Sequence, residues 1–154
     1  MKNKKEKVIR WGLLILWMAV IFIMSQQNGE NSSEQSRFVI LIFSSLGIDI
    51  NGQFGELSTF IVRKAAHFTE YFILFVLSYR TIKLYYQDKK SMILVIAFVF
   101  IYASSDEFHQ SFVPGRGPAF RDVLVDTSGG VFAGICIGIK NKIRSRVKKD
   151  TVSK

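Results

Sequence analysis

Four long apolar segments, each flanked by charged residues, constrain the fold of this chain more than any other feature. They lie within residues 8–24, 57–84, 91–110 and 121–139. A helix needs about 20 mostly apolar residues to cross the hydrocarbon core of a bilayer. It also satisfies its backbone hydrogen bonds within its own segment, as lipid requires. The sequence therefore predicts an all-α protein, a bundle of four transmembrane helices.

The composition favours a single membrane domain over residues 1–154. Nearly half of the chain is hydrophobic, phenylalanine is abundant and the mean hydropathy is positive, which together favour a membrane protein over a soluble one. The net charge of +9 would suit nucleic acid. The basic residues, however, stand at the ends of apolar runs and form no stripe with aromatic residues, so we expect no nucleic-acid partner. The single cysteine, Cys136, lies in an apolar run and predicts neither an internal disulfide nor a thiolate metal site.

The segment between the first two apolar segments, residues 25–56, is mostly polar but contains an apolar run at residues 38–46. This run is too short to cross a membrane as a helix. We predict a short interfacial or re-entrant helix in this first outer loop. A plain loop outside the membrane is the alternative.

The positions of lysine and arginine predict the orientation. With four spans, most of these residues fall on the side of the N-terminus. Of the 21 in the chain, those on the opposite side are Arg37, Arg63, Lys64, Arg116 and Arg121. The positive-inside rule then places both termini in the cytoplasm. This predicts a multi-pass protein of the cell membrane, with residues 140–154 as a basic cytoplasmic tail.

Ionisable residues gather at the outer ends of the second, third and fourth segments. Each set follows the i+3 or i+4 spacing that places side chains on one helix face. Charges that face lipid would be unpaired, so the three faces are expected to meet inside the bundle. The sets are Arg63, His67 and Glu70, then Asp106, His109 and Gln110, then Asp122 and Asp126.

Acidic and imidazole side chains on the second and third segments are the candidates for proton transfer or catalysis. The arginines are the natural partners of an anionic group, and the other polar side chains near them are grouped with them as binding candidates. The catalytic candidates are His67, Glu70, Asp106, Glu107 and His109. The binding candidates are Arg63, Lys64, Gln110, Arg116, Arg121, Asp122 and Asp126.

Two pairs of residues, His67 with Glu70 and Asp106 with His109, are each three positions apart, a spacing that resembles paired metal ligands in helical bundles. They make a divalent metal a candidate cofactor, with His67, Glu70, Asp106 and His109 as its candidate ligands. The sequence leaves open whether the protein is an enzyme and whether it holds any cofactor.

Helix packing is the competing explanation for these charges, because an ion-pair network alone can fix neighbouring helices. The spacing of Gly130, Gly134 and Gly138 likewise indicates close helix packing, within the chain or between copies. A small transporter or proton relay is a third hypothesis. It is the weakest, since no polar track crosses the first and last apolar segments.

Several short blocks, in this order and at this spacing, resemble the VanZ family of small bacterial membrane proteins. The resemblance implies a four-helix membrane protein with a role in the cell envelope. The family takes its name from a member associated with resistance to the glycopeptide antibiotic teicoplanin. The blocks are RKAAHFTEY at residues 63–71, SDEFHQSF at 105–112, PGR at 114–116, RD at 121–122 and DTSG at 126–129.

We therefore interpret the chain as an integral membrane protein of the bacterial cell envelope. The resemblance adds a contribution to glycopeptide resistance as a hypothesis, which the residues of this chain do not themselves establish. Its polar outer-leaflet site is expected to bind or modify an anionic envelope lipid or wall precursor, with membrane lipid as its surroundings. The alternative is a non-catalytic protein that scaffolds wall synthesis or limits antibiotic access, and whose buried charges serve helix packing. The sequence does not predict the oligomeric state.

Overall fold

The protein is built from helices. The computed structural model describes residues 4–117 and 119–152, and within these ranges it contains no β-strand. The predicted all-α class is therefore confirmed. Residues 1–3, 118 and 153–154 of the predicted domain lie outside the described residues. The helices are α1 (Lys4–Ser25), α2 (Gly29–Ser45), α3 (Ile50–Phe54), a 3₁₀ turn (Gly55–Leu57), α4 (Ser58–Ile82), α5 (Asp88–Gln110) and α6 (Phe120–Val152).

Helix α4 lies at the centre and contacts α1, α2, α5 and α6. Its second half is mostly apolar, which suits a helix surrounded by other helices. Tyr71, Leu74 and Phe75 are accordingly buried completely. The first half of α4 carries the ionisable side chains, and its central position offers them partners from several helices.

The helices around α4 expose apolar faces. Leu16 on α1, Ile101 on α5 and Ile135 on α6 are all more than half exposed. Continuous apolar surface of this extent is typical of proteins surrounded by lipid. By length and composition, α1, α5 and α6 qualify as membrane spans within the described residues. A fourth span is reached if α2 and the α3–α4 segment, which meet at a bend of 116°, count as one broken span. The helices therefore fit a membrane protein.

The first outer segment contains more helix than its apolar run predicts. Helix α2 begins at Gly29 rather than near residue 38, because the Asn28 side chain accepts a hydrogen bond from the backbone N–H of Asn31 at 2.8 Å. Ser33 and Ser36 each donate a hydroxyl hydrogen bond to the carbonyl one turn back. These bonds satisfy the two hydroxyls within the helix itself.

Helix α6 is also longer than predicted and continues from the apolar segment into the basic residues after 139. Its 33 residues correspond to a length of about 50 Å, compared with a hydrocarbon core of about 30 Å. A helix of this length extends beyond the core. The basic segment is therefore a helical extension of the last apolar segment.

Glycines on α6 allow neighbouring helices to approach closely. A Cβ atom on Gly130 would lie 2.8 Å from Val99 on α5, and one on Gly134 would lie 3.0 Å from the Phe75 ring on α4. Gly138 has no atom within 4 Å of such a Cβ. Two of the three regularly spaced glycines therefore serve contacts within the chain. The preceding glycine, Gly129, lies against the α4 backbone itself.

Candidate functional site

The polar faces of α4 and α6 meet at the ends of the helices where the sequence places them. Lys64 Nζ lies 2.6 Å from Asp122 Oδ1, and one turn further along, His67 Nδ1 lies 3.4 Å from Asp126 Oδ1. Both helices use positions one turn apart, so the two contacts stack along a single interface. Asp126 is 1% exposed. The interface therefore carries a buried acidic side chain whose neighbour across the interface is an imidazole.

The α5–α6 loop folds back onto the end of α5 through a short chain of hydrogen bonds. Gln110 Nε2 donates to Asp106 Oδ2 at 3.0 Å, and Arg116 donates through Nη1 to Gln110 Oε1 at 2.8 Å. Glu107 Oε1 accepts a bond from the backbone N–H of Ala119 at 2.6 Å. The loop is thus fixed at both of its ends. Arg116 is oriented by a neutral amide and not by direct contact with a carboxylate.

Helix α2 covers the start of α4. Arg63 donates through Nη2 to Ser33 Oγ at 2.8 Å, and Ser33 in turn donates to the carbonyl of Gly29. Gly29 also lies directly against Gly115 of the α5–α6 loop, since an added Cβ would be 2.7 Å from the Gly115 carbonyl oxygen. Gly115 has a φ of +76°, which glycine adopts without strain. These contacts bring α2, α4 and the loop together around Arg63.

Three serines at this end were missed as site residues by the sequence reasoning. Ser25 ends α1, while Ser32 and Ser36 are buried on the face of α2 that packs against α4. Their i, i+4 spacing on α2 was the available signal. It was overlooked because the whole segment is rich in serine and was expected to be helical only at its apolar end.

A cavity of about 520 Å³ lies between α1, α2, α4 and the α5–α6 loop, and we call it the arginine cavity. One part of its wall is polar, and the other is apolar. This combination suits a ligand with an anionic head and an apolar tail. The polar lining includes Arg63, His67, Glu70 and Arg116. The apolar lining consists of Met24, Phe38, Val39, Val62 and Ala66.

A second cavity, of about 390 Å³, lies between α4, the loop and the start of α6. Arg63, His67 and Arg116 line this cavity as well as the arginine cavity, so they stand between the two. The predicted binding residues that line the second cavity alone are Lys64, Gln110, Arg121 and Asp122. Arg121 is exposed, whereas Lys64 and Asp122 already neutralise each other.

The sequence model of the VanZ/LLP1 family matches residues 10–141, which is most of the chain. The chain belongs to the VanZ/LLP1 family. No curated protein and no solved structure matches it. The matched range includes every candidate site residue and ends at the start of the basic extension of α6.

The blocks that resemble the VanZ family occupy facing surfaces in this VanZ/LLP1 chain. Residues 63–71 lie on α4, residues 105–112 cover the end of α5, and residues 126–129 lie on α6 where it packs against α4. The motif residues are therefore concentrated at one end of the bundle.

His109 stands apart from His67. It lines a third cavity, of about 340 Å³, together with Asp106, and its ring centroid lies 4.9 Å from that of Phe22 on α1. Among the described residues, no three His, Cys, Asp or Glu side chains are placed to hold a metal ion together. The four candidate metal ligands thus do not assemble into one centre, and we derive no chemistry through a metal.

The arginine cavity contains groups suited to binding and to proton transfer. Two guanidiniums can hold an anion through parallel N–H bonds. His67 lies beside the buried Asp126, and a carboxylate behind an imidazole stabilises the ring when it accepts a proton. Glu70 lines the same cavity, and its backbone carbonyl accepts a hydrogen bond from Trp17 Nε1 at 3.0 Å, which ties α1 to α4. Anion recognition is therefore the chemistry for which most of these groups are suited.

Proposed function

We propose that this VanZ/LLP1 protein binds an anionic envelope lipid or lipid-linked wall precursor in the arginine cavity, at the outer end of a four-span bundle in the cell membrane. The observation that carries the proposal is the cavity itself, in which Arg63 and Arg116 stand beside an apolar wall. A bilayer presents ligands with this combination of a charged head and an apolar tail. Modification of the bound lipid would use His67 and Glu70.

The proposed topology has α1, α4, α5 and α6 as the spans and α2 as an interfacial or re-entrant helix, with both termini cytoplasmic. It rests on the distribution of basic residues. Reporter fusions check it at Gly47, Tyr86, Gly117 and the C-terminus. We expect alkaline phosphatase, which is active only outside the cytoplasm, to be active when fused at Gly47 or Gly117. A fluorescent protein that folds only in the cytoplasm should fluoresce when fused at Tyr86 or the C-terminus. Phosphatase activity at the C-terminus would contradict this orientation.

Filling the arginine cavity should abolish lipid binding without changing any charge. Ala66 lines the cavity, whereas its neighbour Ala65 is exposed and lines none of the cavities described above. We expect the wild type to retain anionic lipid over zwitterionic lipid in native mass spectrometry. We also expect Ala66→Trp to lose at least 80% of the retained anionic lipid, and Ala65→Trp to keep it. Equal retention by the two variants, or no preference for anionic lipid, would refute the proposal.

A contribution to teicoplanin resistance is the cellular consequence that we attach to this binding. Expression of the wild-type chain in a susceptible strain should raise the inhibitory concentration of teicoplanin, and expression of Ala66→Trp should not. If both chains raise the inhibitory concentration by the same factor, resistance does not depend on the arginine cavity.

The second candidate function is a non-catalytic scaffold in which the charges serve packing. The Lys64–Asp122 pair and the bond from Ala119 to Glu107 favour this role for those particular residues. Both contacts join elements of the chain and leave few free donors or acceptors. They do not involve Arg63 or Arg116, which is why we assign the lipid site to the arginines.

A further inference from the structure

Two guanidiniums share the arginine cavity without a carboxylate partner. Arg63 and Arg116 both line it, and in the part of the chain that the structure describes, neither forms an ion pair. Each is held by one neutral group, Ser33 Oγ or Gln110 Oε1, at 2.8 Å. Each also keeps a buried Nε–H without a hydrogen-bond partner among the described residues. Both guanidiniums therefore lack an ion pair and two free donors are available, while carboxylates of α5 and α6 offset part of the charge of Arg116 from a distance.

The two arginines also destabilise each other. Burial, and after it the charge of Arg63, lowers the pKa of Arg116. Two like charges in a partly buried site are unfavourable unless an anion neutralises both. Lys64 shows the contrast, since Asp122 already compensates its charge within the protein. Among the described residues, neither arginine of the pair forms such a contact.

Glu70 is not that partner. It lies seven residues from Arg63 on α4, which corresponds to about 10 Å along the helix. It forms no ion pair with either arginine in the described structure. His67 lies between the two positions on the same helix. Glu34 on α2 also lines the arginine cavity, and it likewise forms no ion pair with either arginine among the described residues.

We propose that Arg63 and Arg116 together bind one phosphate dianion, the terminal group of a phosphate monoester, in the arginine cavity. This inference rests on the proposed function and names the headgroup. A phosphate monoester carries about 1.5 to 2 negative charges near pH 7, enough to compensate both guanidiniums. A phosphodiester carries one and leaves the second guanidinium uncompensated. The planar guanidinium matches phosphate oxygens in pairs, which Lys cannot do.

The apolar wall indicates that the dianion belongs to a lipid. Phe38 and Val39 of α2, together with Val62 of α4, would contact an alkyl chain and would add nothing to the binding of inorganic phosphate. A soluble phosphate nevertheless has the same headgroup chemistry. The two sources are distinguished by testing each separately.

The test compares three probes on the full chain in nanodiscs or micelles of zwitterionic lipid: phosphatidic acid, phosphatidylglycerol and inorganic phosphate. Phosphatidic acid has a phosphate monoester headgroup, and phosphatidylglycerol has a phosphodiester. We expect phosphatidic acid to bind at least tenfold more tightly than phosphatidylglycerol at pH 7.5, and inorganic phosphate to bind weakly. This comparison uses only the wild-type chain, so its outcome does not depend on whether a variant folds.

Variants then assign the preference to the arginine pair. Arg63→Gln and Arg116→Gln should each reduce the preference for the monoester to less than threefold. Arg116→Lys should also lose most of it, because the charge remains but the paired N–H donors do not. Arg80→Gln is the matched control, because Arg80 is exposed near the other end of α4 and does not line the arginine cavity. We expect the control to bind as the wild type does.

The possible outcomes separate this inference from the proposed function. Equal binding of the two lipids, lost in Ala66→Trp, overturns the dianion inference and leaves the lipid site intact. A monoester preference that survives both Arg→Gln substitutions also overturns it. Binding of inorganic phosphate as tight as that of phosphatidic acid supports the dianion site but assigns it to a soluble ligand. Binding of none of the three probes refutes both proposals.

Discussion

Replacing Gly129 by alanine should lower the apparent melting temperature of the detergent-solubilised protein by about 10 °C. An added Cβ at this position would overlap the carbonyl oxygen of Phe68 and lie 3.1 Å from its Cα. These are backbone atoms of α4, so a rotamer change cannot relieve the overlap, and the two helices must move apart. Overpacking of this kind costs about 3 kcal/mol, which corresponds to a shift of this size in a chain of this length.

The same separation should weaken the site. Phe68 lies next to His67 on α4, and the contact of His67 with Asp126 crosses the same helix interface. We therefore expect Gly129→Ala to reduce retention of anionic lipid as well as stability. Gly138→Ala is the matched control on the same helix, because an added Cβ there meets no atom within 4 Å. It should melt at or slightly above the wild-type temperature, since alanine favours a helix more than glycine does. Melting of the two variants within 2 °C of each other would contradict the close backbone contact.

The sequence was informative about the parts of the site that repeat along a helix. Lys64 and His67 are three residues apart on one segment, and Asp122 and Asp126 are four residues apart on another, so each spacing is close to one helical turn. A single rotation of each helix therefore brings Lys64 to Asp122 and His67 to Asp126. Lipid strengthens this inference because it leaves charged faces few alternatives to the bundle interior. The family was identified from the same residues, and the family match confirms it.

The sequence was less informative about how the remaining helices are rotated and how far they extend. His109 shares a helix face with Asp106, as the spacing predicted, but it packs against Phe22 and lies in a separate cavity from His67. A pattern within one segment does not reveal which neighbour its face will meet. The role of Ser33 as the partner of Arg63 was equally hidden, since it depends on a helix whose polar half has no apolar periodicity.

The glycines of α6 also show that a pattern within one segment does not reveal its contacts with other helices. The regular spacing of Gly130, Gly134 and Gly138 drew attention to α6, and two of these glycines do face other helices of the chain. The closest helix contact, however, is made by Gly129, which is outside that pattern. Helix crossing places the tightest contact at one point only, and a repeat of four residues cannot indicate which glycine occupies it.

Removing one partner of the His67–Asp126 contact should destabilise the protein more than removing both. Asp126→Leu is expected to lower the free energy of unfolding by about 3 kcal/mol, because it leaves the imidazole without its anionic neighbour at a buried interface. His67→Leu should cost a similar amount, because it isolates the carboxylate. The double variant should recover at least about 2 kcal/mol relative to the sum of the single variants, since apolar side chains replace a complete pair. Reversible unfolding in mixed detergent measures the free energy of unfolding of the wild type, the two single variants and the double variant.

Lipid binding in the same variants decides between a packing network and a site. His67 lines the arginine cavity, whereas Lys64 and Asp122 form a contact one turn away that does not. The Lys64→Met/Asp122→Leu pair is therefore a control with similar chemistry at the same helix interface. We expect both double variants to regain stability, but only His67→Leu/Asp126→Leu to lose retention of anionic lipid. If both double variants bind lipid as the wild type does, the imidazole and its carboxylate serve helix packing alone. The ligand would then be held by the arginines without help from the α4–α6 interface.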